Sequence, residues 1–215
     1  MSQSSLHVVD AVLDAAADLI MNDGYSAVSL SSISSRSAIS LEQVSEAFPT
    51  ANDALVAMLN REFQGMYRNI VENIERDPRG GLLSRMYTYI LSSVYERPLA
   101  KTLFVIDREA LNSIMRNAHS FVYTPNVGIR SELIEGLQAA GMVRSDVDAR
   151  MVSSVLSTCS AGLALTAPHD DLDIIIEGLS TLLSRGVDAD VDDTSAGKAV
   201  FYEWASSLAS RPRAD

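Results

Sequence analysis

Several kinds of residue are scarce in this chain of 215 residues, and each scarcity excludes a class of protein. The single cysteine, Cys159, rules out an internal disulfide framework and a cysteine-rich zinc site. Lysine occurs only at positions 101 and 198, and 17 basic residues are outnumbered by 28 acidic ones, which gives a net charge of −11. A surface with this balance repels phosphate and anionic lipid on average, so contact with a polyanion needs a local basic patch.

Long apolar runs are also absent. No stretch of 18 apolar residues occurs, and the first apolar residues alternate with Asp10, Asp14 and Asp18, so we expect neither a membrane span nor a signal peptide. The 11 glycines and 6 prolines are too few for a linker array or a fibre, while 47% of the residues are hydrophobic. The sequence therefore predicts a soluble, cytoplasmic globular protein with no membrane partner.

Helical periodicity is what the sequence does contain. Val9, Leu13, Ala16 and Ile20 recur every three or four residues, as on one face of an amphipathic helix. A long helix is expected from about residue 52, and further helices at about 82–95, 99–118, 127–140, 147–166, 171–185 and 195–209. The predicted fold class is all-α, with a three-helix helix-turn-helix domain over 1–51, a connecting helix and linker over 52–80, and a helical domain over 81–215.

The N-terminal part is divided by residues that begin and end helices. A short helix is expected over about residues 29–36, and residues 40–43 have the S-x-x-Q form of a capping box. Phe48-Pro49 ends the helix that follows, and Thr50 is a typical first residue of the next one. Short helices joined by a four-residue turn are typical of a helix-turn-helix, in which residues 41–47 would form the recognition helix.

A set of short motifs over residues 8–60 carries a resemblance to a known family. The motifs are Val12-Leu13-Asp14-Ala15-Ala16, Gly24-Tyr25, Ser29 with Ile33, Ala38-Ile39-Ser40 and Phe48-Pro49-Thr50. Together they resemble the N-terminal signature of the TetR family of transcription regulators. The resemblance implies a homodimer that presents one helix-turn-helix per subunit to a palindromic operator. It also implies a C-terminal domain that binds a small apolar or aromatic effector.

The chain departs from that family where DNA is usually contacted. Family members commonly carry glycine in the turn, where this chain has Ala38, and lysine just before the connecting helix, where it has Ala51. Leu41 stands where a lysine is common at the start of the recognition helix. Residues 1–60 contain seven carboxylates and one lysine or arginine, Arg36. Because affinity for DNA rests largely on cations that neutralise phosphates, this balance opposes DNA binding.

The remaining polar side chains are the candidate DNA contacts. The hydroxyls of Ser40, Ser45 and Thr50 can donate to phosphates, Gln43 can recognise adenine, and Glu42 can accept from cytosine. Two hypotheses stay open. The chain is a ligand-responsive, TetR-like repressor that binds DNA as a homodimer, or its acidic helix-turn-helix has lost ordinary operator binding and it acts through ligand or protein contacts.

Aromatic residues with polar tips flank the apolar segment 99–118, and such residues suit a pocket for an organic ligand. They suit the edge of an ordinary core equally well. Asp107 is either a polar anchor in that pocket or part of a solvated cluster of charges. The candidate ligand-binding residues are Tyr87, Phe104, Asp107, Met115 and Tyr123.

Segments 147–166 and 171–185 correspond to the helices through which TetR-like proteins commonly dimerise. The second segment is apolar on more sides than a helix needs for its own core, which favours dimerisation independently of the family. Cys159 fits there as a small hydrophobic residue. The candidate interface residues are Val155, Cys159, Ile175, Leu179 and Leu182.

No motif indicates catalysis. The chain contains no G-x-S-x-G, no H-E-x-x-H and no glycine-rich phosphate loop, and its three histidines are scattered. The acidic run 188–193 lacks the spacing, the central glycine and the closing glutamate of a calcium loop, so it is interpreted as a solvated linker. We therefore expect a protein that is not an enzyme and needs neither a cofactor nor a metal.

Overall fold

The computed structural model describes residues 3–116, 129–165 and 171–210. Within them the chain forms helices and no strand, which confirms the all-α prediction. No helix of the described part is both long enough and apolar enough to cross a membrane. The helices are α1 (Gln3–Asp23), α2 (Leu30–Ser37), α3 (Leu41–Ala47), α4 (Ala51–Arg76), α5 (Leu83–Tyr95), α6 (Pro98–Lys101), α7 (Arg108–Arg116), α8 (Ser131–Ala139), α9 (Ala149–Leu165), α10 (Leu172–Gly186) and α11 (Ser195–Ser210).

The helices divide into two compact units. The first contains residues 3–64 and 97–116, and the second contains residues 65–96 with the described residues after 128. The division differs from the domain boundaries expected at 52 and 81, because it falls within α4 and groups α6 and α7 with the N-terminal helices.

The first unit is built on α1. Of its predicted apolar face, Leu13, Ala16 and Ile20 are at most 5% exposed, whereas Val9 is half-buried. Ile33 of α2 and Val44 of α3 are fully buried, and both helices pack on α1. Three helices thus share one small core, as the N-terminal periodicity predicts.

The single helix expected over 99–118 is wrong. The chain forms α6, then a π-helical turn over Thr102–Ile106, and then breaks at Asp107 before α7 begins. The Asp107 N–H donates to the Thr102 carbonyl at 2.7 Å, the wide hydrogen bond that defines such a turn. The side chain of Asp107 then accepts from the Ala110 N–H at 3.0 Å, so this residue caps α7. The break leaves Ile106 70% exposed.

The second unit has its own core, in which α5 packs on α10 and α8 packs on α9. The final helix docks through Phe201, which is 2% exposed. Gly197 permits a close approach, because a Cβ on it would lie 2.0 Å from the Gly81 carbonyl oxygen. The final helix, α11, is therefore packed on the second unit through one apolar face.

The interpretation of residues 188–193 as a solvated linker is wrong for its first residue. Asp188 is 6% exposed and pairs with Val143 in an isolated β-bridge, where the Ala189 N–H donates to the Met142 carbonyl at 2.9 Å. The Asp188 carboxylate accepts from the Ser84 N–H at 3.3 Å, near the start of α5. Burial raises the pKa of Asp188 because it disfavours the charged form. The run thus begins as a packed connection.

Candidate nucleic-acid interface and association surface

The α2–turn–α3 segment is held by hydroxyl caps at both helix starts. Ser29 accepts from the Ser32 N–H, and Ser32 in turn accepts from the Ser29 N–H, so the pair forms a reciprocal capping box. Ser40 accepts from the Gln43 N–H at 3.3 Å and begins α3 where the sequence predicts it. The reciprocal bond of the expected second box is replaced, since the Ser40 hydroxyl donates to Gln43 Oε1 at 3.1 Å.

The turn between α2 and α3 carries a strained residue. Ala38 has φ 56° and ψ 22°, and it is the only non-glycine residue with positive φ in the described part of the chain. A left-handed conformation costs an L-residue with a Cβ roughly 1–2 kcal/mol. The alanine that stands in place of the common turn glycine therefore adopts a strained conformation, which the packing of the unit stabilises.

The outward face of α3 is polar and contains no cation. Glu42, Gln43, Ser45 and Glu46 are exposed, and Leu41 at the start of the helix is 49% exposed. The side chains proposed to meet bases and phosphates therefore do reach solvent. Two carboxylates on the same helix lie among them.

Thr50 is exposed but its hydroxyl is engaged. Thr50 Oγ1 donates to Asp53 Oδ2 at 2.7 Å and accepts from the Asp53 N–H at 3.2 Å. The Thr50 N–H donates to the same carboxylate at 3.0 Å, which completes a capping box at the start of α4. A phosphate at Thr50 would thus meet a fixed negative charge.

Both cations among residues 3–64 are paired with carboxylates of α1. Arg36 forms ion pairs with Asp18 and, at 2.5 Å, with Asp23; the hydrogen bonds to these two carboxylates raise the pKa of the guanidinium. Arg61 lies 2.6 Å from Asp14 and 3.7 Å from Asp10. Neither cation is free to neutralise a phosphate without breaking an existing pair.

Tyr87 occupies the core of the second unit. It is 1% exposed, its hydroxyl donates to the Leu156 carbonyl at 3.0 Å, and it lies 2.9 Å from the Ser160 hydroxyl. Burial raises the pKa of Tyr87 to about 12. These contacts give Tyr87 a structural role in the core, which is one of the two roles that the sequence left open for the aromatic residues.

Three of the other candidate ligand residues, Phe104, Asp107 and Met115, lie in the first unit. There the ring of Phe104 packs 5.8 Å from that of Phe63. Asp107 caps α7 and Met115 of α7 is half-buried. Tyr123 lies outside the described residues.

Helices α9 and α10 each carry apolar side chains in solvent. On α9, Met151 and Val155 are 57% and 55% exposed, and on α10, Ile174 and Leu182 are 67% and 70% exposed. We call these four residues the apolar stripes. Val155 and Leu182 were expected at an interface. Met151 and Ile174 were missed, although each lies four or eight residues from an expected member and so on the same helix face.

The other three candidate interface residues are less exposed. Cys159, Ile175 and Leu179 are half-buried, so they lie at the borders of the stripes. The sequence alone does not distinguish residues at the border of a stripe from those at its centre, because α10 is apolar around much of its circumference.

Solved structures with the same architecture are known. CprB, a TetR family protein from S. coelicolor A3(2), is 17% identical, with a TM-score of 0.55 over 95% of this chain and 99% of its own. The fatty acid degradation regulator FadR from Bacillus halodurans is 16% identical, with a TM-score of 0.58 over 81% and 93%. NalD, the secondary repressor of the MexAB-OprM efflux pump in Pseudomonas aeruginosa, is 22% identical, with a TM-score of 0.57 over 88% and 100%.

These comparisons define the class of fold. The chain is an all-α protein with an N-terminal helix-turn-helix and a helical C-terminal part, the architecture found in TetR family regulators. At identities below 25% the likeness establishes the fold alone. The chain matches no family model and no curated protein.

Proposed function

We propose that this protein is a TetR-like transcriptional regulator, and specifically a ligand-responsive repressor that binds DNA as a homodimer through α3. The observation that carries the proposal is the exposed polar face of α3 within a capped helix-turn-helix. A helix held in this way suits insertion into the major groove, where amide and hydroxyl side chains recognise bases and phosphates. Regulators with the same fold, such as NalD and FadR, support this assignment over catalysis.

The apolar stripes support dimerisation in the second unit. Large side chains that are more than half exposed leave apolar surface in water, and covering it is favourable by roughly 25 cal/mol per Å². An isologous contact covers the same stripes on both subunits at once. Such a dimer would present two copies of α3 to a palindromic site.

The effector proposed from the sequence is a small apolar or aromatic molecule bound by the helical C-terminal part. Of its four candidate residues in the described part of the chain, Phe104 and Met115 are apolar and partly exposed, so they are best able to contact such a molecule. The protein would act in the cytoplasm, without a cofactor or metal.

The charge pattern favours a second candidate function. Because Arg36 and Arg61 are paired with α1 carboxylates and α3 carries Glu42 and Glu46, the helix-turn-helix offers no free cation to DNA. The fold would then serve ligand or protein contacts instead of operator recognition.

Selection of bound duplexes from a random library separates the two candidate functions. The salt concentration is about 0.1 M, at which the repulsion between exposed charges more than roughly 10 Å apart is screened. A recovered palindrome with half-sites about one helical turn apart supports the repressor. A folded, dimeric protein that recovers nothing above background supports the second candidate.

The variant Gln43→Ala tests whether the side chain of Gln43 recognises a base. We expect it to relax base preference at one position of each half-site, because a bidentate amide contact to adenine is worth roughly 1–3 kcal/mol of discrimination. Gln64→Ala, at an exposed position of α4, is the matched control and should select the unaltered site. Identical selection by wild type and Gln43→Ala would exclude Gln43 as a reader.

A further inference from the structure

One face of α10 has a symmetric arrangement of exposed residues. Ile174, Gly178 and Leu182 follow one another every four residues, so they lie one above the other along the helix. Asp171 lies three residues before Ile174, and Arg185 lies three residues after Leu182, which places both on the same face. All five residues are exposed, and we call them the α10 face. Positions at equal distances from Gly178 carry either two large apolar side chains or two opposite charges.

The α10 face points away from the core of its own subunit. On the other side of the helix, Ile176 and Leu183 are each 7% exposed and belong to the core of the second unit. Ile174 and Leu182, by contrast, are 67% and 70% exposed. No described part of the subunit therefore covers the α10 face.

The subunit by itself gives no reason for glycine at position 178. Glycine weakens the interior of a helix relative to alanine, because its unfolded backbone is freer. Gly178 does not have a positive φ, and a Cβ on it would meet no described heavy atom within 4 Å. A glycine at the centre of an exposed helix face permits the close approach of another backbone. Its position therefore favours contact with a second helix.

The charges at the two ends of the α10 face determine how two copies fit together. Asp171 and Arg185 form no ion pair among the described residues, and the Asp171 side chain does not cap α10. When two copies of α10 lie antiparallel across a two-fold axis at Gly178, Asp171 of each copy meets Arg185 of the other, and Ile174 meets Leu182. A parallel arrangement would place like charges together at both ends, which is unfavourable.

We propose that the α10 face recognises a second copy of this chain in the antiparallel arrangement, with Gly178 on the two-fold axis and Asp171 paired with Arg185 of the other copy at each end. The inference rests on the homodimer of the proposed function, and it adds the orientation, the register and the residues that select the partner. A partner must carry opposite charges at these two positions, so the α10 face discriminates between copies of this chain and related chains.

Charge-reversal variants of the full chain test the pairing. Asp171→Arg brings two cations together at each end of the α10 face, and Arg185→Glu brings two carboxylates together there. We expect each variant to raise the dimer dissociation constant about tenfold or more, as measured by sedimentation equilibrium. Asp173→Arg makes the same charge change at an exposed position on another face of α10 and should leave the constant unchanged. Because Asp171→Arg reduces the net charge of −11, general repulsion between subunits does not account for a weaker dimer.

A mixture of the two reversed variants sharpens the test. In a heterodimer of Asp171→Arg with Arg185→Glu, opposite charges meet again at both ends of the α10 face. Native mass spectrometry of an equal mixture should therefore show the heterodimer above its statistical share. The double variant Asp171→Arg with Arg185→Glu should dimerise as the wild type does.

The outcomes separate this inference from the homodimer itself. A dimeric wild type whose Asp171→Arg variant dimerises as tightly as Asp173→Arg would overturn the pairing and leave the proposed homodimer standing. A monomeric wild type would overturn both. Gly178→Leu should keep the fold, since its Cβ meets no described atom, but should weaken the dimer. A Gly178→Leu dimer as stable as the wild type would overturn the position of the two-fold axis.

Discussion

The two compact units pair their arginines over different distances along the chain. In the first, Arg36 and Arg61 are neutralised by carboxylates of α1 that lie 13 and 47 positions away, so the helix-turn-helix offers no free cation near α3. In the second, Arg76, Arg85 and Arg144 pair with carboxylates only two to eight positions away. The net charge alone therefore does not show which cations are available to an anion, because that depends on how each unit pairs them.

The apolar stripes are the proposed dimer interface and belong to the second unit. Disrupting this interface should have the largest effect of the changes considered. Val155→Glu with Leu182→Glu places a carboxylate on each apolar stripe, where a dimer would have to bury it unpaired. We expect dimer dissociation to be favoured by roughly a hundredfold or more, because an uncompensated buried charge costs several kcal/mol. Sedimentation equilibrium measures the shift.

The matched control is Ser157→Glu, which adds a carboxylate at an exposed position of α9 on a different face from Met151 and Val155. It should leave the dimer intact. A double variant that stays as dimeric as this control would place the interface elsewhere on the molecule.

Supplying free cations near α3 tests whether the pairing of Arg36 and Arg61 limits DNA binding. Leu41→Lys with Ala51→Lys adds two positive charges at the start of α3 and of α4, next to the positions proposed to meet phosphate. We expect general DNA affinity near 0.1 M salt to rise about tenfold, and the log–log salt dependence to steepen by about 2. Fluorescence anisotropy over a salt series measures both quantities.

Ser26→Lys with Gln64→Lys adds the same charge at exposed positions outside α3 and the first turn of α4, and it should give a much smaller gain. If the two double variants bind alike, long-range attraction and not local pairing limits the affinity.

The sequence predicted elements better than it predicted partners. Periodicity and capping residues located α3 and the start of α4 because these signals are local in the chain. The break at Asp107 was missed since neither proline nor glycine marks it. The ion pairs of Arg36 and Arg61 and the burial of Asp188 depend on residues 13 to 104 positions away, so no local pattern reports them.

The hydrogen bonds of Tyr87 also join residues far apart in the chain, so no local sequence pattern predicts them. Their contribution to the stability of the second unit can be measured. Tyr87→Phe removes a hydroxyl that serves the Leu156 carbonyl and Ser160, and we expect a loss of about 1 kcal/mol in the free energy of unfolding. Urea denaturation measures it. Tyr95→Phe, at a half-buried position whose hydroxyl makes no hydrogen bond within the described residues, should cost less. Equal losses would mean that the Tyr87 hydroxyl contributes nothing specific.

The smallest expected effect belongs to the turn of the first unit. Ala38→Gly relieves roughly 1–2 kcal/mol of left-handed strain but adds about 0.4–1 kcal/mol of chain entropy to the unfolded state. We therefore expect a net gain of about 0.5–1 kcal/mol in stability. Ala57→Gly, within α4, has only the entropic and propensity cost and should destabilise by about 1 kcal/mol. If both variants lose stability, the strain at Ala38 is too small to matter and the turn tolerates alanine without compensation elsewhere.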